Sequence, residues 1–302
     1  RPGQPPVEPD AAASGTERKR AQRAEIDAML NEAMQPPLAP PTRAAVALGA
    51  SEKAVAPLVD TLAAIDAAQQ VIVENLRNIE TVGFKGSRTA VGDGKDVARQ
   101  LDVTDGELQP THRMLDVAIQ GDGFLQVQVY TPEKPESSVG FTRNGRLYMN
   151  RKGEVVVGEA EGYKLIPPLL LPPGTTKLTI DAAGRVAAAR DTADSPTPAA
   201  VGRIHLARFT DPTALRPLGG GIYAESAASG PATESPAAER GAGTVLQGFL
   251  EASNVDLVRE RLRLHFLQTW RAGLIGAIEA LPYTPPAPTP GRRTTVRPAA
   301  GE

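Results

Sequence analysis

Three histidines, His112, His205 and His265, are the only imidazoles in the chain. They fall in three separate segments, and no two stand at the spacing a metal site needs. There is no cysteine, which removes disulfides, thiolate ligands and cysteine nucleophiles together. Its absence suits a protein that works outside the reducing cytosol without oxidative staples. Gly121-Asp122-Gly123 has the glycine content of a phosphate loop. The residues after it, Phe124, Leu125, Val127 and Val129, read as a strand, whereas a phosphate cradle needs a helix N-terminus. Ser253 lacks the Gly-x-Ser-x-Gly elbow of a hydrolase. Asp102, Asp105 and Glu107 carry enough charge for a cation, but the twelve-residue calcium pattern is missing and a solvated acidic turn is the simpler reading. These residues predict no enzyme, no cofactor and no metal.

Composition narrows the class further. A net charge of −2 and a pI near 6.1 lack the basic footprint of a nucleic-acid binder. Among 302 residues, 29 Gly and 28 Pro predict many turns and some unfolded sequence. Aromatics make up only 4%, which argues against a single dense aromatic core. No apolar run approaches the ~20 residues that span a bilayer, so no membrane span is expected. A charged-then-apolar leader is also missing, an observation of little weight in a sequence that begins at Arg1.

The elements that must carry any function are two long helices with strands between them. Val55, Leu58, Leu62, Ile65, Gln69, Ile72, Leu76 and Ile79 recur at alternating spacings of three and four, a heptad seam with one polar break. Pro57 is tolerable in a first turn, and Gly83 sits where a left-handed residue closes a helix. From Asn254, a good cap, the chain runs to Leu281 without proline. Val258, Leu262, Phe266, Trp270, Leu274 and Ile278 recur there at i+4. Leu62, Ile65, Ile72 and Leu76 are therefore expected to pack on Val258, Leu262, Phe266 and Trp270, within one subunit or between subunits, with Pro282 as the stop.

Between the helices, Gly121-Asp122-Gly123 and Asn144-Gly145 both read as hairpin turns. Val155–Val157, Leu178–Ile180, Val186–Ala187, Ile204–Ala207 and Val245–Leu246 read as short strands. Turns about every ten residues suggest an antiparallel β domain. Residues 227–241, rich in Ala, Ser, Pro and Glu, read as a loop in which Ser235 would tolerate Asp.

The fold class is α+β (mainly β): an antiparallel β domain flanked by N- and C-terminal coiled-coil-type helices, with disordered tails. Residues 1–50 form an N-terminal extension with a short helix signal at 16–34. Residues 51–85 form the first long helix, 86–252 the β-rich domain, 253–281 the last helix and 282–302 a Pro-rich tail. The extension offers only Ile26, Leu30 and Met34 as a narrow apolar face. Unless it docks on a partner it should stay largely unfolded, because a helix of that length is marginal alone in water. Arg18-Lys19-Arg20 reads as a solvated face.

Three segments, in order, resemble the axial rod and hook proteins of the bacterial flagellum, most closely the distal rod type. The first is Asn75-Leu76-Arg77-Asn78-Ile79-Glu80-Thr81-Val82-Gly83-Phe84-Lys85. The second is Leu115-Asp116-Val117-Ala118-Ile119-Gln120-Gly121-Asp122-Gly123-Phe124, and the third Gly248-Phe249-Leu250-Glu251-Ala252-Ser253-Asn254-Val255. The resemblance spans residues 58–280 and marks Asn75, Leu76, Asn78, Thr81, Gly83, Phe84, Lys85, Leu115, Asp116, Gly121, Gly123, Phe124, Gly248, Glu251, Ser253, Asn254 and Val255 as family positions. It implies a non-catalytic, self-assembling subunit of the basal-body rod that transmits torque from motor to hook. Leu58, Leu62, Ile65, Ile72, Leu76 and Ile79, with Val258, Leu262, Phe266, Trp270 and Leu274, would serve helix pairing and assembly. The implied partners are further copies in a helical homo-oligomer, other rod and hook proteins, and the surrounding basal-body rings. The implied location is the periplasmic part of the basal body, reached through the flagellar type III export apparatus.

The chain departs from the family in three places. About 50 residues precede the first long helix. Trp270-Arg271-Ala272-Gly273 stands where the family has Arg-Ala-Tyr, and Gly86–Leu108 is short. Two readings therefore stay open: a polymerising rod subunit, or a rod-type β domain that has lost polymerisation and acts as a periplasmic or surface binding module.

Overall fold

The computed structural model describes residues 11–34, 52–91, 97–131, 134–190 and 198–280. Helices stand at both ends and strands fill the middle: α1 (Ala11–Ala33), α2 (Glu52–Arg77), strands from Ser87 to Glu251, then α3 (Leu257–Glu279). This is the mainly β, α+β architecture the sequence predicts. Residues 1–10, Pro36–Pro41, Pro282 and the C-terminal tail lie outside the described residues.

The apolar residues of α2 at three- and four-residue spacing put Leu62, Ile65, Ala68, Ile72 and Leu76 on one buried face. Pro57 lies inside the helix but close to its start, and its carbonyl accepts the Thr61 hydroxyl at 2.8 Å. By length and composition Ala56–Arg77 would pass as a bilayer span, although the sequence predicts none. Its apolar face is occupied instead, by α3 and α1. The helix ends at Arg77, before Ile79 and well before Gly83. Asn78 turns its side chain back to the Glu74 carbonyl at 2.8 Å, which satisfies an open helix end. Gly83 has φ +65°, yet it does not close the helix. Its N–H donates to the Glu251 carbonyl at 2.7 Å, and a Cβ there would lie 2.2 Å from the Arg143 backbone.

The largest sheet is antiparallel. Its order is Arg216–Gly219, Ile222–Ala224, Lys134–Thr142, Phe124–Thr131, Tyr163–Ile166, Val155–Val157, Leu147–Met149. His205–Arg208 also pairs with Phe124–Thr131 and carries Thr233–Pro236 on its other edge. A three-stranded sheet of Lys177–Ile180, Arg185–Ala189 and Ala199–Arg203 packs nearby. Alternate residues of both sheets, among them Leu125, Val127, Leu165, Leu178, Val186 and Leu206, close one aliphatic core. Phe124, Phe141 and Tyr223 form a second, smaller cluster, in which Phe124 meets Tyr223 edge-on at 6.1 Å.

Two expected hairpins are not hairpins. Gly121 and Gly123 do take positive φ, +93° and +128°. The strands they join nevertheless pair elsewhere: Val117–Gln120 with Thr244–Gln247, and Phe124–Thr131 with Lys134–Thr142. Glycines signal a reversal, but burial of the flanking strands decides their partners. Around Asn144-Gly145, Lys134–Thr142 and Leu147–Met149 are separated in the sheet by three other strands. Gly145 is required for close approach, since a Cβ would sit 1.7 Å from the Val117 carbonyl oxygen.

Residues 227–241 also differ from expectation. Thr233–Pro236 is a strand on His205–Arg208, with Ser235 buried, so Ser235 is no neutral place for a carboxylate. A further hairpin, Ser87–Val91 with Val97–Leu101, lies beside α2. The extension is the clearest difference. It is helical from Ala11 to Ala33, with Ile26 and Met29 buried, while Met34 is exposed and residues 17–20 face solvent. A helix too weak to stand alone persists because the chain's own helix pair gives it a surface to cover.

Candidate functional site

The two long helices pack along most of their length, but α3 turns an unexpected face to α2. Leu62 and Ile278 are buried together, flanked by Leu58, Leu274 and Ile275. Nearer the β domain Ile72 and Leu76 meet Leu264, flanked by Leu257 and Leu267. Leu257, Glu260, Leu264, Leu267, Arg271, Leu274 and Ile278 thus form a three–four heptad seam. Two charges hide it in the sequence, and both are answered in the structure. Glu260 accepts from Asn75 at 3.2 Å, and Arg271 donates to Asp66 at 3.1 Å.

The stripe expected to face α2 points away from it. Val258, Leu262, Phe266 and Trp270 are 68%, 66%, 63% and 43% exposed. At about 100° per residue their centre lies roughly 150° around the helix from the seam. Helix α3 is therefore apolar on two opposite faces, which is why choosing the bulkier i+4 series misplaces the contact. Of the other expected pairing residues, Leu62, Ile65, Ile72 and Leu76 are buried, while Leu58, Ile79 and Leu274 are half-buried.

At the root of the helix pair several of the positions marked by the resemblance, Asn75, Lys85, Glu251 and Asn254, converge on a buried polar lock. Asn75 exchanges two 2.8 Å hydrogen bonds with the Ser87 backbone, mimicking a strand partner, and so ties α2 to the first hairpin. Thr81 donates to Asn78 at 3.1 Å and shapes the turn into Gly83. Phe84 is buried. The Lys85 N–H donates to the Tyr223 hydroxyl at 2.8 Å, and that hydroxyl donates to the Lys85 carbonyl at 3.2 Å.

The Lys85 ammonium is fully buried and meets Glu251 Oε1 at 2.6 Å and the Thr104 carbonyl at 2.6 Å. Glu251 also accepts from the Gly106 N–H at 2.8 Å and from Arg143 at 3.4 Å. Arg143 reaches on to the Gly121 carbonyl at 2.7 Å and lies over the Phe124 ring. Asn254 accepts from the Gly86 N–H at 2.7 Å and donates to the Asp102 and Thr104 carbonyls. It does not cap α3: Asp256 does, accepting from the Arg259 N–H at 3.1 Å. Ser253 accepts from the Val255 N–H. Val255 packs beside Gly86.

The remaining family positions brace the β domain behind the lock. Asp116 is buried against Arg113 at 3.0 Å, and its carbonyl accepts from the Gly248 N–H. Leu115 packs on the aliphatic core. The acidic turn belongs to the lock as well. Asp105 faces Lys85 at 3.7 Å and Arg143 at 3.5 Å, while Asp102 pairs with Arg88. Asp102 and Asp105 thus serve as structural carboxylates, while Asp105 and Glu107 remain exposed, as a solvated acidic turn would be. Sequence reasoning gave Tyr223, Arg143, Asp105 and Glu260 no place in the lock or the seam, because the partners they meet there lie far away in the chain.

Electrostatics match this geometry. Burial lowers the Lys85 pKa, against the opposing pull of Glu251, and pushes the Tyr223 phenol up. Burial also raises the Glu260 carboxyl, opposed by Arg263 and Asn75, and its Oε2 has no hydrogen-bond partner. Hydrogen bonds from Thr104 and the Arg88 charge hold Asp102 low, outweighing its burial. Among the described residues no three His, Asp or Glu side chains converge as a metal site would require. His205 is occupied by Glu234 at 2.6 Å.

The sequence that builds this arrangement, two long helices pinned by a buried lock to an antiparallel β domain, is similar to those of known flagellar proteins. The chain is 30% identical to the flagellar basal-body rod protein FlgG of Buchnera aphidicola subsp. Schizaphis graminum, over 69% of this chain and 88% of that protein. The chain belongs to the flagellar basal-body rod protein family. The FlgG of Caulobacter vibrioides is 33% identical over 64% of this chain and 83% of its own length. A further member, the Escherichia coli rod protein FlgF, is 31% identical over 63% and 78%. Residues 118–188 match the family model for the flagellar hook protein FlgE/F/G D1 domain, a stretch that contributes many of the aliphatic core residues, from Ile119 to Ala188. As a member of this family the chain is a structural rod-type subunit.

Proposed function

We propose that this chain is a self-assembling subunit of the flagellar rod, of the distal type, and that it carries torque from motor to hook. Residues 51–85 and 253–281 supply the axial core, and 86–252 the outer domain. The observation that carries this reading is the apolar stripe Val258, Leu262, Phe266 and Trp270, exposed on the face of α3 opposite α2. A row of four large apolar side chains left in water is costly and marks a surface meant for a partner. Repetition of one non-closing contact between copies generates a helical filament. The lock suits this role, because a load taken up by the helices passes to the β domain through buried, paired groups. Other rod and hook proteins and the surrounding rings are the remaining partners of such a subunit. Its place is the basal body in the periplasmic space, reached through the flagellar export apparatus.

Leu262→Asp tests the reading. Sedimentation of the purified variant should show folded monomer at concentrations where the unaltered chain forms open-ended oligomers, and cells carrying it should be non-motile. Motile cells would refute the proposal.

A further inference from the structure

Helix α1 lies where an acceptor for the α3 stripe would have to be. If copies repeat by a heterologous contact, a donor surface on one must meet a different surface on the next. The donor is the outward stripe of α3. The apolar acceptor offered by the same helices is the groove between α2 and α3, where Ile72, Leu76 and Leu264 are buried. That groove is filled by α1 through Met29, with Leu30 and Ala33 alongside.

We propose that α1 is a detachable cover that holds the subunit monomeric until a second copy displaces it. The inference rests on the rod function proposed for the chain and adds the regulation of the same surface.

The attachment has the character of a cover. Among the described side chains of α1, only Ile26 and Met29 are buried. The ion pairs that orient it, Arg23 with Glu80 at 2.7 Å and Glu25 with Arg261 at 2.8 Å, are all between 42% and 68% exposed. Exposed pairs of this kind add little and weaken with salt. A helix with so narrow an apolar face does not hold its own conformation once undocked. The groove itself is continuous with the α2–α3 seam, since Met29 shares one cluster with Ile72, Leu76 and Leu264. An incoming helix with four large apolar side chains offers more apolar surface than α1, which fills the groove with Met29 and the partly buried Leu30 and Ala33. An intramolecular competitor lowers apparent affinity by the fraction of molecules in which the site is open.

The test compares the full chain with Met29→Asp, Glu25→Arg and the double variant Glu25→Arg/Arg261→Glu. It uses light scattering against protein concentration, and hydrogen exchange of residues 17–33 before and after assembly. Met29→Asp should lower the concentration at which assembly begins by roughly tenfold. Glu25→Arg should lower it in the same direction, and the double variant should restore the original value. Exchange of α1 should be slow in the monomer and fast in the assembled form. An onset that Met29→Asp and Glu25→Arg both leave unchanged, or α1 protected equally in both forms, overturns the cover while leaving the rod reading intact. Absence of assembly in every variant, the full chain included, overturns the rod reading and the cover with it.

Discussion

Removing the Glu251 carboxylate should be among the most damaging single changes this chain can suffer. Glu251 is fully buried and is the anion shared by Lys85 at 2.6 Å and Arg143 at 3.4 Å. Glu251→Ala leaves two buried cations with only the half-exposed Asp105, 3.7 Å and 3.5 Å away. Breaking a buried pair from one side costs about 3–5 kcal/mol. Lysine has an escape that arginine lacks, because it can release its proton. One pKa unit is about 1.4 kcal/mol, so for a lysine that starts from 10.5 the neutralisation cost is about 4.8 kcal/mol at pH 7. At pH 9 it is about 2 kcal/mol.

Urea unfolding followed by circular dichroism should therefore show Glu251→Ala destabilised by about 3–5 kcal/mol at pH 7, with a smaller penalty at pH 9. Adding Lys85→Met should recover at least about 1 kcal/mol relative to additivity, because the orphaned ammonium goes with it. A loss below about 1 kcal/mol at pH 7, the value of an exposed pair, would refute the claim that these charges act as one buried unit.

Two further outcomes concern the seam between the helices. Glu260 has a raised pKa in the fold, so its folded form favours the proton. The stability tied to that proton is full below the unfolded value of 4.5 and is lost as pH rises through the raised folded value. Glu260→Gln should match the wild type near pH 4 and be more stable at pH 7; equal stabilities in thermal melts at both pH values would refute this. Leu264→Ala should cost about 2–5 kcal/mol in the monomer, whereas Leu262→Ala should stay within about 0.5 kcal/mol. Reversed values in chemical unfolding would restore the i+4 stripe as the pairing face.

Much of the protein was legible because local chemistry reports it. The heptad spacing from Leu58 to Leu76 marks the buried face of α2, and the positive φ of Gly121 and Gly123 is what glycine at a reversal permits. Short β-rich runs between turn residues point to the mainly β fold, and the ordered motifs from Asn75 to Val255 point to the family. The choice of partners was decided only in three dimensions. Helix α3 carries two apolar faces, and the pairing one contains Glu260 and Arg271, which meet Asn75 and Asp66 across the seam, Glu260 also pairing with Arg263 on its own helix. Neither partner across the seam can be identified from α3 itself. Gly145 looks like a turn residue until the Val117 carbonyl is seen against it. Helix α1 falls short as an isolated helix and forms because a surface contributed by residues far along the chain covers Ile26 and Met29. Spacing and residue type determine what a segment can bury; which buried face or opposite charge meets it depends on contacts between residues remote in sequence, and these exist only once the chain has closed.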